Sequence, residues 1–91
     1  MEENKMNLLD LRLTINQVSQ LAGVEKYTLR YWEKRYGEFL NPVRSQTGHR
    51  RYTVEDLNII QAIKNLSEEE NLTHLGVRLW LSANYPKNGN K

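Results

Sequence analysis

The 91-residue chain has no cysteine, which excludes disulfides and thiolate metal sites. It also has no apolar run near the roughly 20 residues that a membrane-spanning helix requires, so no membrane partner is expected. The N-terminus, Met-Glu-Glu-Asn-Lys, lacks the basic patch leading into an apolar stretch that marks a secretory leader; a cytoplasmic location is the expectation. A chain of this length makes one small domain with a modest core, leaving little room for an enclosed active site. His49 and His74 are far apart in sequence, with no Ser, Cys or carboxylate constellation nearby. The adjacent acids Glu68, Glu69 and Glu70 point in different directions around a helix, not at one ion. Neither an enzyme nor a metal or other cofactor is expected.

What the chain does have is an uneven charge. Residues 1–25 sum to −2 and residues 52–91 to −1, whereas residues 26–51 hold Lys26, Arg30, Lys34, Arg35, Arg44, Arg50 and Arg51 against Glu33 and Glu38, a net +5. Charge concentrated in one segment creates a local potential that the overall +2 conceals, and a cationic middle between acidic flanks is the footprint of a polyanion-binding surface.

The pattern of elements is mainly α with a small β hairpin. Residues 1–12 read as a flexible N-terminal segment, although Leu11, Leu13 and Ile15 alternate with polar residues as a short strand would. Thr14 and Gln17 form a capping-box signature, and Ile15, Val18 and Leu21 then recur at helical spacing up to Gly23, a residue suited to a left-handed C-terminal cap. A second helix is expected from Glu25 to Tyr36, with Leu29, Trp32 and Tyr36 as its buried stripe and Gly37 as its stop. Pro42 blocks a helix, and Gln46-Thr47-Gly48 offers a turn between strands Val43 to Gln46 and His49 to Tyr52. Thr53 with Asp56 marks a third helix carrying Leu57, Ile60, Ile63 and Leu66 to about Ser67, with the three glutamates as a solvated end and Asn71 as terminator. A last helix is expected from Thr73 to Ala83 with Leu75, Leu79 and Trp80 inward, before a flexible tail over residues 84–91. The folded domain is thus expected over residues 13–83.

Two short helices joined by a glycine turn are the helix-turn-helix arrangement, whose second helix can enter the major groove. Val18, Ala22, Val24, Leu29 and Trp32 would make the core between them. The outward face of the second helix is cationic and aromatic, suited to phosphates and guanine edges. An ordinary solvated polar face would explain any one of these residues, but helix, turn, basic helix and basic hairpin together favour double-stranded DNA as the partner. The expected recognition-helix contacts are Lys26, Tyr27, Thr28, Arg30, Tyr31 and Lys34, and the expected wing contacts are Arg44, Gly48, His49, Arg50, Arg51 and Tyr52.

The run from Leu13 through Thr28-Leu29-Arg30-Tyr31-Trp32-Glu33, followed by Pro42-Val43-Arg44 and Gly48-His49-Arg50-Arg51-Tyr52-Thr53-Val54-Glu55-Asp56-Leu57, resembles the DNA-binding domain of the MerR family of bacterial regulators. The resemblance covers about residues 13–82. It implies a winged helix-turn-helix fold and a role in transcriptional regulation, with Arg30 and Tyr31 at recognition positions and Arg44, Arg50 and Arg51 in a wing that grips flanking phosphates or minor groove. Family regulators continue into a long dimerisation helix and an effector-binding region. No heptad repeat follows Ala83 here, so the expectation is either a domain of a longer protein that dimerises through segments absent from this chain, or a stand-alone relative that dimerises weakly, on DNA, or not at all. An architectural DNA-binding factor (an excisionase, or a chromosome or plasmid segregation adaptor) is the alternative. A protein-interaction module built on Trp80, Tyr85 and the last helix is a third.

Overall fold

Three of the helices open on a threonine whose hydroxyl accepts a backbone N–H: Thr14 from Gln17 at 3.1 Å, Thr53 from Asp56 at 3.0 Å, and Thr73 from Gly76 at 3.2 Å. In the computed structural model, which describes residues 12–85, these caps start α1 (Ile15–Ala22), α3 (Val54–Lys64) and α4 (His74–Asn84), while α2 (Lys26–Arg35) follows α1 after a tight turn. Both expected capping boxes are complete, because the Thr14 and Thr53 backbone N–H groups donate back to Gln17 Oε1 at 2.8 Å and Asp56 Oδ2 at 2.9 Å. The expectations for residues 1–11 and 86–91 lie outside the described residues.

The α1–α2 turn rests on Gly23, whose φ of +69° puts it in the left-handed region, where a side chain would be strained. The N–H groups of Gly23 and Val24 both donate to the Ser19 carbonyl, at 2.9 and 3.1 Å. Lys64 Nζ, from α3, donates to the carbonyl of Ala22 at 3.2 Å, satisfying one of the carbonyls orphaned at the helix end.

The hairpin is shorter than expected. β1 (Val43–Arg44) and β2 (Arg50–Arg51) pair antiparallel, Val43 opposite Arg51 and Arg44 opposite Arg50. Residues 45–49 close the turn instead: Ser45 N–H donates to the His49 carbonyl at 2.8 Å, Gly48 N–H donates to the Ser45 carbonyl at 2.9 Å, and Gly48 has φ +86°. Tyr52 pairs with Leu13 through bonds of 2.7 and 2.8 Å, so among the described residues the N-terminal strand is a single bridge at Leu13; Leu11 is outside them.

The core is built from Val18, Ala22 and Val24 at the turn, Leu29, Trp32 and Tyr36 of α2 and its cap, and Ile59, Ile60 and Ile63 of α3, closed by Val77 and Leu81 of α4. Phe39 and Leu40, which sequence patterning does not assign to the core, are also buried. They follow α2 in a turn that Gly37 permits by lack of bulk: a Cβ there would stand 2.9 Å from the Glu33 carbonyl oxygen. α3 runs into a π-helical turn, Asn65–Glu69, that keeps Leu66 buried and leaves the glutamates exposed. Asn71 ends this segment at φ +57°.

Two apolar expectations are corrected. Leu21 is 59% exposed, so α1 packs through Val18 and Ala22. In α4, Leu75 and Leu79 are more than 60% exposed and Trp80 is 38% exposed, whereas Val77 and Leu81 are fully buried. The pairs 75/79 and 77/81 have the same helical spacing and lie about 200° apart around the axis, so periodicity alone does not choose between them.

Asp56 shows how a cap behaves when buried. Burial raises its carboxyl pKa above the ordinary 3.8, against the opposing effect of the Thr53 hydrogen bonds. The native state therefore holds a proton at pH values where the unfolded chain has lost it, so this group's contribution to stability is fully present below the ordinary value and is lost as pH rises through the raised one. Asp56→Asn keeps an acceptor for Thr53 and never ionises. Its stability at pH 7 in urea denaturation should lie within about 0.5 kcal/mol of the parent, whereas Asp56→Ala should lose about 1 kcal/mol. Equal losses in the two variants would show that the carboxylate charge, not the hydrogen bond, carries the cap.

Candidate nucleic-acid interface

With Leu29 and Trp32 committed to the core, helical geometry turns Lys26, Tyr27, Arg30, Tyr31 and Lys34 outward, and all five are exposed. Thr28 is half-buried. Tyr27, at 71%, is the most exposed of the described Phe, Tyr and Trp side chains. Lys26 is oriented by a 2.7 Å bond from its Nζ to Asn16 Oδ1 on α1, which fixes the first turn of α2 against the start of α1.

The wing stands beside this face. A shallow groove of about 340 Å³ is lined by residues 14–16 at the start of α1, by Arg30 of α2, and by residues 48–51 of the hairpin. Gly48 and His49 are exposed, and His49 Nδ1 lies 3.0 Å from Thr47 Oγ1. Arg44 has an open side chain (54%), Arg51 is half-buried, and the Arg50 side chain is largely enclosed (20%). The tertiary fold thus brings Arg30, Arg50 and Arg51 to one concave surface, with Arg44 outside its lining.

Glu33 joins the two elements. Its carboxylate, 12% exposed, accepts from Arg50 Nε at 2.7 Å and from the Tyr52 hydroxyl at 2.6 Å, with Arg44 Nη2 at 3.9 Å. Burial, then the hydrogen bond to Glu33, pushes the Tyr52 phenol well above its ordinary pKa, so the hydroxyl remains a donor. The expectation that Tyr52 is a wing contact is corrected: it is fully buried; its ring fills the core, and its hydroxyl supports the wing from beneath. Arg50 is likewise shared between the groove and an internal ion pair.

A second polar cluster joins α2 to α4. His74 Nδ1 lies 2.9 Å from the Tyr36 hydroxyl and Nε2 lies 3.3 Å from that of Tyr31, which also accepts from Arg35 Nη2 at 3.0 Å. Arg78 donates to Glu38 Oε1 at 3.0 Å and to the Arg35 carbonyl. Sequence reasoning assigns no structural role to Glu33, His74 or Arg78. Glu33 carries a signal, as the lone acid within a cationic helix. His74 and its tyrosines are 38 and 43 residues apart, beyond any local pattern. Among the described residues there is no group of three or more His, Cys, Asp or Glu side chains that could hold a metal ion, and no helix long and apolar enough to cross a membrane.

Comparison with known proteins agrees with this architecture. The chain is 42% identical over 55 residues to the transcriptional repressor CarH of Myxococcus xanthus, covering 60% of this chain and 18% of that protein. It is 34% identical over 64 residues to the repressor CarA of the same organism, covering 69% and 22%. The chain therefore spans about a fifth of the length of these curated relatives. Among solved structures, HiNmlR, a MerR family regulator lacking the sensor domain and bound to promoter DNA, superposes with a TM-score of 0.69 at 23% identity, covering 80% of this chain and 54% of that one. The profile of the MerR helix-turn-helix regulatory proteins matches residues 13–84, so the chain belongs to the MerR family.

Proposed function

We propose that this domain binds double-stranded DNA in a sequence-specific manner and serves transcriptional regulation. The observation that carries the reading is the convergence of Arg30 from α2 with Arg50 and Arg51 from the wing on one groove. In this arrangement α2 lies in the major groove, where two N–H groups of the Arg30 guanidinium donate to the O6 and N7 acceptors of a guanine edge. Lys26, Tyr27, Thr28, Tyr31 and Lys34 flank it, and Arg44, His49 and Arg51 meet the backbone across the turn at Gly48. Membership of the MerR family and the fold shared with a regulator bound to promoter DNA support the same reading. Dimerisation on DNA, or through segments outside this chain, would give a target of two half-sites related by two-fold symmetry. The domain would then reside with the chromosome.

Arg30→Ala should lose about 1–3 kcal/mol on the preferred site and relax the preference at one base pair, with the melting temperature unchanged. Arg44→Ala should weaken binding to all sequences alike and lower the slope of log K against log salt by about 1. Fluorescence-anisotropy titration with a random duplex pool at two salt concentrations, with sequencing of the bound fraction, tests both. A uniform loss across sequences in Arg30→Ala would move it from base reading to the backbone. A parent protein that binds no duplex at low salt would overturn the reading altogether.

A further inference from the structure

We infer that His74 is a positioning residue that fixes the Tyr31 hydroxyl as an outward hydrogen-bond donor to a DNA phosphate at the edge of α2. This rests on the reading of α2 as the DNA-facing helix.

The direction follows from which hydroxyl is buried. Tyr36 is 1% exposed, and burial raises its phenol pKa, so it keeps a proton that needs an acceptor. The acceptor at hand is His74 Nδ1, 2.9 Å away. A neutral imidazole that accepts at Nδ1 carries its hydrogen on Nε2, and Nε2 faces the Tyr31 oxygen at 3.3 Å. Arg35, whose guanidinium carbon also lies 5.6 Å from the Tyr31 ring centre, donates to the same oxygen from Nη2 at 3.0 Å and Nε at 3.3 Å. A hydroxyl has two acceptor positions and one proton. With histidine and arginine occupying the first two, the Tyr31 proton points away from both, on a side chain that is 44% exposed. The reverse wiring, with Tyr31 donating to Nε2 and Nδ1–H donating to Tyr36, would leave the buried Tyr36 proton without an acceptor.

The surroundings suit an anion that only accepts. Tyr31, Lys34, Arg35 and Arg78 line one open depression. The cations packed on the two tyrosines are Arg35, which donates to the Tyr31 oxygen, and Arg78, whose guanidinium carbon lies 5.7 Å from the Tyr36 ring centre, and Glu38 is engaged by Arg78 at 3.0 Å. A phosphodiester oxygen would accept a hydrogen bond from the Tyr31 hydroxyl while Lys34 and Arg35 of α2 flank it.

The test is anisotropy titration of a labelled random-sequence duplex, in which backbone contacts register without a preferred site. Tyr31→Phe should weaken binding about five-fold with an unchanged salt slope, because no cation is lost. His74→Ala should weaken it by a similar factor, and the double variant should bind as Tyr31→Phe alone does. His74→Gln, whose amide can accept from Tyr36 and donate to Tyr31, should return binding to within about two-fold of the parent. If His74→Ala fails to fold, Tyr31→Phe and His74→Gln still separate the two outcomes. Additive losses, a flattened salt slope in Tyr31→Phe, or parental affinity in that variant would overturn the assignment while leaving the DNA reading intact. Absence of duplex binding by the parent overturns both.

Discussion

Glu33→Ala is expected to destabilise the domain by about 3 kcal/mol, lowering the melting temperature by about 15 °C for a domain of this size. The substitution removes the acceptor at 2.6 Å from the Tyr52 hydroxyl and the counter-ion at 2.7 Å from Arg50 Nε. Tyr52 is fully buried, and the Arg50 side chain is only 20% exposed, so water cannot fully replace either partner. The loss is thus of the kind that follows orphaned buried donors, well above the roughly 0–1 kcal/mol of a surface ion pair. Tyr52→Phe removes one donor without orphaning a buried group and should cost about 1 kcal/mol. Because both changes act on one hydrogen bond, the double variant should be less destabilised than the sum of the singles. Thermal unfolding followed by circular dichroism decides it: a loss under about 1 kcal/mol in Glu33→Ala would mean that the wing is held in place without this carboxylate.

Leu81→Ala should cost about 3 kcal/mol, and Leu79→Ala less than about 0.5 kcal/mol, although the two leucines are near neighbours on one helix. Leu81 is wholly enclosed, so its truncation leaves a cavity as well as removing transfer energy. Leu79 is 62% exposed, and alanine there loses little buried area while gaining helix propensity. Urea denaturation of the two variants reads the rotation of α4 directly. A larger loss in Leu79→Ala would place the helix with its other face inward and would separate His74 from Tyr31 and Tyr36.

The same helix shows where sequence reading stops. Local chemistry was legible wherever a side chain acts on its own backbone neighbours. The caps at Thr14 and Thr53, the left-handed Gly23 and Gly48, and the stripe of Leu29, Trp32 and Tyr36 each depend on interactions within a few residues, and each is found where the sequence placed it. The outward basic face of α2 follows from that stripe, since burying one side of a helix fixes the other.

The rotation of α4 was not legible, because Leu75 with Leu79 and Val77 with Leu81 satisfy one period equally well. What distinguishes them is polar: His74 and Arg78 lie on the same side as Val77 and Leu81, and they meet Tyr31, Tyr36 and Glu38 across the interface. Tyr52 differs for a similar reason. Its place beside Arg50 and Arg51 suggested an exposed wing residue, yet its bridge to Leu13 and its bond to Glu33 draw it inside. By itself the sequence determined where the threonine-capped helices start, the left-handed glycines at the turns and the cationic character of the outward face of α2, all set by short-range hydrogen bonding and periodicity. Only the tertiary structure decided which apolar face of α4 is buried, which wing residues remain open, and how Glu33 and His74 hold their neighbours, because those outcomes depend on pairing donors and acceptors that are distant along the chain.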